Sequence, residues 1–198
     1  SWFTIALYSC QKNEYLTTGG SLRYDVDTLL FDTVFTNNPT STRAVLIYND
    51  ENKPIQISSL QLQKGAASEF YFNINGQQGY TATNIEIAAN DSAWVFLGAN
   101  IDTTTSDLPF VVEDKLVATL NGTAYTLPIM AMAQNVVYIV DSVLTTQTWT
   151  TQRPYVIVNN ALVAENEILT INPGVKVYVH ADSRLYVQGT LVTNGTLE

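Results

Sequence analysis

At 198 residues with 46% hydrophobic side chains, the chain suits one large or two small domains with a buried core. Charged residues make up 14%, and the balance is acidic: 18 Asp plus Glu against 9 Lys plus Arg, a net charge of −9. That balance excludes nucleic acid, whose phosphates need clustered cations, and disfavours electrostatic docking on anionic lipid.

The first segment, Trp2 to Tyr8 (WFTIALY), is nearly all apolar and runs into Ser9 and Cys10, the one cysteine. It is shorter than the roughly 18 residues of a spanning helix and suits the apolar core of a signal peptide. No initiator Met or basic stretch precedes it, so residues 1–9 read as a signal-peptide remnant in a sequence clipped at its start. Cleavage before Cys10 would expose a thiol for thioether linkage to diacylglycerol, and alkyl burial gives about 0.8 kcal/mol per CH₂. Leu7 at −3 and Ser9 at −1 fit a lipobox, while Tyr8 is bulkier than usual there. The competing reading makes Cys10 a buried thiol at the end of a first strand.

Gln11, Lys12, Asn13 and Glu14 follow the cysteine. Together with the lipobox they resemble bacterial lipoproteins of the Bacteroidota type, whose Gln-Lys-acidic-acidic signal sends the protein to the outer face of the outer membrane. Asn13 departs from that pattern by lacking a charge. The resemblance implies a lipid anchor at Cys10, an outer-membrane location and cell-surface exposure. Residues 10–21 then read as the anchor plus a tether, loosest at Gly19-Gly20.

From Leu22 the pattern changes to a period of two: Leu22, Tyr24 and Val26 alternate with Arg23, Asp25 and Asp27. Strands are expected over Leu29 to Phe35, Ala44 to Tyr48, Ile55 to Leu62, Phe70 to Ile74, Ile85 to Ile87, Ala93 to Asn100, Phe110 to Leu120 and Tyr125 to Ala133. Asn121-Gly122 links the last two as a two-residue hairpin. Strands at this spacing with turn residues between them predict a β-sandwich over residues 22–136, and no segment has a helical period. Leu46-Ile47-Tyr48-Asn49, Ile57 to Leu60, Phe70 with Phe72, and Trp94-Val95-Phe96 resemble immunoglobulin-like modules of the abnormal-spindle and hydin type. That likeness speaks to fold and fixes no function.

Residues 137–154 read as a connector. Beyond it, Ile168 to Ile171, Asn172-Pro173-Gly174 and Val175 to Val179 are echoed by Leu185 to Val187, Gln188-Gly189 and Thr190 to Val192. Leu169 and Leu185 stand 16 residues apart, as do Ile171 and Val187. Short strands repeated with glycine corners point to a solenoid, in which each coil is covered by its neighbours. Leu169 to Gly174 and Leu185 to Leu191 resemble the opening coils of a right-handed parallel β-helix. Residues 155–198 are therefore expected to be the start of one, truncated at Glu198; the alternative is a pair of hairpins in a second sandwich. The expected fold class is all-β, an immunoglobulin-like sandwich followed by the first coils of a right-handed parallel β-helix.

Chemistry-bearing residues are few. His180 is the one histidine and stands in a loop setting before Ala181-Asp182-Ser183, so no catalytic triad or zinc cluster is formed from sequence, and no catalytic residue, metal or cofactor is expected. Asp25 with Asp27, Glu113 with Asp114, and Glu165 with Glu167 are close carboxylate pairs, a type used in glycoside hydrolysis, but Asp25 and Asp27 fall on the wet face of their strand. Asp102 and Asp107 lack the ligand spacing of a calcium loop. Asn121-Gly122-Thr123 and Asn194-Gly195-Thr196 match a glycosylation acceptor and read as turns. Tyr71, Tyr80, Tyr125, Trp149, Tyr178 and Tyr186 are the candidate stacking residues, with Tyr178 and Tyr186 placed in adjacent coils. These features point to a non-catalytic surface lipoprotein that binds a glycan or a protein or serves as a scaffold. The second reading is the N-terminal part of a β-helix polysaccharide lyase or hydrolase.

Overall fold

The computed structural model describes residues 14–38 and 42–195. The protein is all-β: among the described residues, strands are joined by turns and one 3₁₀ turn, Gly65–Ala67. Two compact units divide the chain. One comprises Ser1–Phe31, Pro39–Ala99 and Glu113–Met130; the other comprises Asp32–Asn38, Asn100–Val112 and Ala131–Glu198.

Ten strands form the sandwich: β1 Arg23–Tyr24, β2 Leu29–Phe35, β3 Arg43–Asn49, β4 Ile55–Leu62, β5 Phe70–Ile74, β6 Gln77–Gly79, β7 Thr81–Ile87, β8 Asp91–Ala99, β9 Phe110–Leu120 and β10 Thr123–Gln134. They make two five-stranded sheets, ordered β1-β3-β8-β5-β6 and β2-β10-β9-β4-β7. Alternation decides which side chains go inside. On β8, Val95 and Leu97 are fully buried while Trp94 and Phe96 are not; on β4, Ile55, Ile57, Leu60 and Leu62 are buried. Phe70 and Phe72 of β5 fill the middle, and the rings of Phe31 and Phe70, one from each sheet, lie 5.5 Å apart. Asn121 (φ 46°) and Gly122 (φ 83°) both take the left-handed conformation that a two-residue hairpin between β9 and β10 requires.

The expected opening strand is shorter than its alternation: only Arg23–Tyr24 pairs with β3, and Val26 is exposed. The Asp25 carboxylate takes the Leu46 backbone N–H (3.0 Å) and closes the ladder there.

The remaining strands are parallel. They are β11 Val137–Leu144, β12 Gln147–Trp149, β13 Tyr155–Val163, β14 Ile168–Ile171, β15 Val177–Val179, β16 Arg184–Val187 and β17 Thr190–Thr193. One sheet runs β11-β13-β15 with β16 also on β13, and the other runs β12-β14-β17. Tyr155 pairs with Val177, Gln147 with Leu169 and Ile168 with Thr190, each partner lying 22 residues further on. The stretch 137–154, expected as a connector, thus supplies β11 and β12 to these sheets.

The 16-residue spacing of the sequence is not the pairing register. Leu169 is on β14 and faces Leu191, whereas Leu185 is on β16 and faces Ala161. The echo arises because two successive strands of different sheets share one apolar pattern. Bends between strands fall on polar residues that tolerate positive φ: Asp141 (43°), Asn159 (61°) and Asp182 (62°) at one corner, and Asn166 (66°) at another. At the first corner the Asn159 side chain donates to Asp141 (2.7 Å), and the Asn159 N–H donates to the Ser183 hydroxyl (2.9 Å). Side chains inside the bends form a small apolar core of Ile139, Leu144, Trp149, Ile157, Ala161, Val163 and Leu169.

Candidate functional site

The sequence AWVFLGA places four large side chains on one strand with a period of two. Both sets cannot face the same core, so one pair must be left outside. The sandwich core takes Val95 and Leu97, leaving Trp94 (52% exposed) and Phe96 (46%) on the outer face of β8, the middle strand of its sheet. Their rings are nearly parallel, 17° apart in plane, with centroids 6.3 Å apart. Further along, the Tyr71 ring lies over Gly98, so close that any Cβ at Gly98 would overlap it. Gly98 has no left-handed backbone; it is glycine because an aromatic ring occupies the side-chain space.

The register supplies the neighbours. Leu46 lies opposite Trp94, while Ala44 and Asn73 lie opposite Phe96 from either side. The outcome is a row of Trp94, Phe96 and Tyr71 along the centre of a sheet, lined by small or uncharged side chains. At the β1 side of the sheet, Arg23 sits over the Tyr48 ring (4.1 Å) and is fixed by both carboxylate oxygens of Asp50 (3.0 Å each). Rings held on a paired central strand lose little freedom on binding, which suits them to act as a platform.

The residues singled out from sequence fare unevenly. Cys10, Gln11, Lys12 and Asn13 lie outside the described residues; Glu14 is exposed. Tyr178 and Tyr186 are both exposed, on β15 and β16, but pair with Val156 and Leu162, six positions apart on β13. Six positions of strand span roughly 20 Å less the bend, so the two do not share a site. Tyr178 instead packs on Phe35 (centroids 5.1 Å), and the Tyr186 hydroxyl is within 3.4 Å of the Arg184 guanidinium. Trp149 is not a surface ring at all: it is 1% exposed and stacked on Tyr155 at 4.3 Å. His180 is exposed, its Nδ1 3.4 Å from the Ala181 carbonyl.

The carboxylate pairs separate too. Glu113 points outward while Asp114 is buried, accepting from the Ser68 hydroxyl (2.5 Å), the Lys115 N–H (2.7 Å) and the Lys64 N–H (3.3 Å). Those bonds hold the Gly65–Ala67 turn beside a cleft of about 470 Å³ lined by Gln63, Lys64, Glu113, Lys115, Pro128 and Met130, among others. Glu167 accepts from the Thr146 hydroxyl and N–H, which lowers its pKa, while Glu165 is exposed. Asp107 accepts from Gln152 (2.6 Å) and Arg153, and these partners hold its carboxyl below the usual range. No group of three or more potential metal ligands occurs among the described residues.

Trp94 and Phe96 escaped the sequence reading because they were assigned to a strand and assumed to be core. The usable signal was the run of four bulky apolar residues at alternating positions, which forces half of them outward.

The class that emerges is an all-β protein with a two-sheet antiparallel sandwich and a set of parallel strands. No protein-family model and no curated protein matches the chain. Among solved structures it is similar to a family 123 glycoside hydrolase from Clostridium perfringens, with 9% identity over 64% of this chain and 26% of that one and a TM-score of 0.40. It is similar to the E. coli chaperone DraB at 8% identity, over 59% of this chain and 55% of that one, TM-score 0.37. It is also similar to a PapD-like domain of human CEP192 at 9% identity, over 67% and 97%, TM-score 0.38. The chain spans about a quarter of the hydrolase and just over half of DraB.

Proposed function

We propose that this chain is a non-catalytic, lipid-anchored surface protein that acts as a rigid binding scaffold. Cys10 carries the lipid, residues 15–21 form the tether, and an immunoglobulin-like sandwich presents the outer face of β8 to a ligand. The parallel strands are the opening coils of a right-handed β-helix, a reading supported by the 22-residue register and by the polar corners stacked at Asp141, Asn159 and Asp182. The observation that carries the binding role is the aromatic row itself. Large apolar rings left in water on a central strand cost solubility, and exposed patches of this kind mark interaction surfaces.

Two measurements test this reading. With the full chain expressed in a bacterial host that lipidates proteins, Cys10→Ser should move it from the membrane fraction to the soluble one; retention in the membrane would remove the anchor. Binding of the soluble Cys10→Ser chain to intact cells and cell-wall extracts should fall on Trp94→Ala. Binding indifferent to Trp94 would remove the β8 face from the function.

A further inference from the structure

We infer that the β8 row is a subsite for an uncharged polysaccharide, with pyranose faces lying on Trp94, Phe96 and Tyr71. This inference rests on the binding role proposed above and specifies its ligand class.

Three features of the row select that chemistry. The first is ring orientation. Trp94 and Phe96 are within 17° of parallel, and Tyr71 is pressed onto the backbone of Gly98. The faces of aromatic rings are negative and their edges positive. A pyranose presents C–H groups of partial positive charge on its face and hydroxyls around its rim, so it matches a π-face with the rim left free. Protein hot-spot residues behave differently, filling pockets in a partner.

The second feature is spacing. Side chains on one face of a strand recur about every 6.6–6.8 Å, and Trp94 and Phe96 obey that repeat with centroids at 6.3 Å. Position 98 of the same series is filled by the ring of Tyr71. A linear repeat of platforms is suited to a polymer of rings, each unit adding to the same binding event. Asn73, opposite Phe96, offers both a donor and acceptors to rim hydroxyls.

The third is charge. Trp94, Phe96, Tyr71, Leu46, Ala44 and Asn73 are all uncharged, while the chain as a whole carries −9. Uronic-acid or sulfated polymers would meet a repulsive field with no cation in the row to offset it. Neutral polymers pay no such cost.

The experiment uses the full Cys10→Ser chain on an array of neutral and anionic polysaccharides, with affinities of hits measured by calorimetry. Neutral polymers should bind with little salt dependence, and anionic ones should not. Trp94→Ala and Phe96→Ala should each weaken binding about tenfold or more, one decade being about 1.4 kcal/mol. Gly98→Ala gives an independent reading: it leaves Trp94 and Phe96 in place but lifts Tyr71 off the sheet, and should also weaken binding. Tyr186→Ala should change nothing. Circular dichroism establishes that the variants fold. Glycan binding unaffected by all three β8 variants overturns the inference. So does a chain that binds no neutral glycan but loses a protein ligand, or its own self-association, on Trp94→Ala; that result would leave the binding role of β8 standing.

Discussion

On β8 of the sandwich, Val95 and Leu97 are covered by side chains of the opposite sheet, and nothing further along the chain is needed to bury them. In the parallel strands burial comes from the next layer instead. Leu169 is fully buried under Leu191, which is itself 39% exposed; Ile157 is fully buried and pairs with Val179, which is 54% exposed. One region closes its core between two faces, and the other closes it layer by layer. The difference teaches where each is vulnerable: sandwich stability is shared across a common core, while the parallel strands depend on nearest neighbours.

The largest expected effect tests that contrast directly. Trp149→Ala in the parallel region and Phe72→Ala in the sandwich each remove a fully buried ring and should cost about 3–5 kcal/mol. Amide hydrogen exchange separates them. Trp149→Ala should release protection in β11 to β17 and leave β3, β8 and β5 protected, whereas Phe72→Ala should do the reverse. Equal loss of protection in both regions after either change would show that they unfold as one and dissolve the comparison.

A smaller effect probes the layers. Gly189 sits at a corner where a Cβ would overlap the backbone carbonyl oxygens of Glu167 and Ala164. Backbone cannot rotate away as a side chain can, so Gly189→Ala should cost about 1–3 kcal/mol. The loss should fall on the β14–β17 pairing, which begins with Thr190 N–H donating to the Glu167 carbonyl (2.8 Å). By contrast, a Cβ at Gly76 meets open space, and only its positive φ (81°) is at stake there, so Gly76→Ala should leave β14–β17 exchange unchanged. Denaturant midpoints and exchange at Thr190 to Thr193 measure both.

Much of the sandwich was legible because period-two alternation and turn chemistry are local. The expected strand over Phe110 to Leu120 is β9 as found, and Asn121-Gly122 makes the turn that follows. The register of the parallel strands was not legible: pairing across 22 residues depends on how the bends at Asn159 and Asn166 fold back, and no local pattern encodes that length. The site was misread for a related reason. Exposure of an aromatic depends on which alternate set the opposite sheet accepts, so Trp149 was expected outside and Trp94 inside, the opposite of what packing decides.

Buried polar groups sharpen the contrast further. In the sandwich, Asn49 is buried but fully used: its Nδ2 donates to the carbonyls of Lys53 (3.0 Å), Ile87 (3.3 Å) and Ala88 (2.7 Å), and its Oδ1 takes the Glu51 N–H. In the other unit, Thr36 is buried and its Oγ1 has no partner, the one such atom among the described residues. Its backbone is satisfied, the carbonyl accepting from the Tyr138 hydroxyl (3.1 Å) and the N–H donating to Gln134 (3.1 Å). Thr36→Val keeps the shape and removes the orphaned oxygen, so it should stabilise by about 1 kcal/mol. Asn49→Leu, which abandons three carbonyls, should destabilise. A stabilising Asn49→Leu would mean that burial of polar groups does not distinguish the two units.

The smallest expected effects are in pH, and they divide the units by direction. In the first unit, burial pushes the Tyr24 hydroxyl well above its usual range. Its neutral form is favoured by folding, so that stability is intact below about pH 10, where the unfolded tyrosine titrates, and is lost as pH rises toward the folded value. In the second unit, Asp107 is held low by hydrogen bonds from Gln152 and Arg153, and Glu167 by the Thr146 hydroxyl and N–H. Folding favours their charged forms, so this stability is present above about pH 4, the unfolded carboxylate range, and fades as pH falls through the folded values. Both carboxylates are solvent-accessible, which keeps the acid limb shallow and salt-sensitive. Urea midpoints followed across acid and alkaline pH should therefore show an alkaline loss removed by Tyr24→Phe and an acid loss flattened by Asp107→Asn with Glu167→Gln. Exchange should assign the first loss to the strands around Tyr24 and the second to β12 and β14. An acid loss that reports from the sandwich instead would place the sensitive carboxylates there, with Asp114 and its bond to Ser68 the first to replace.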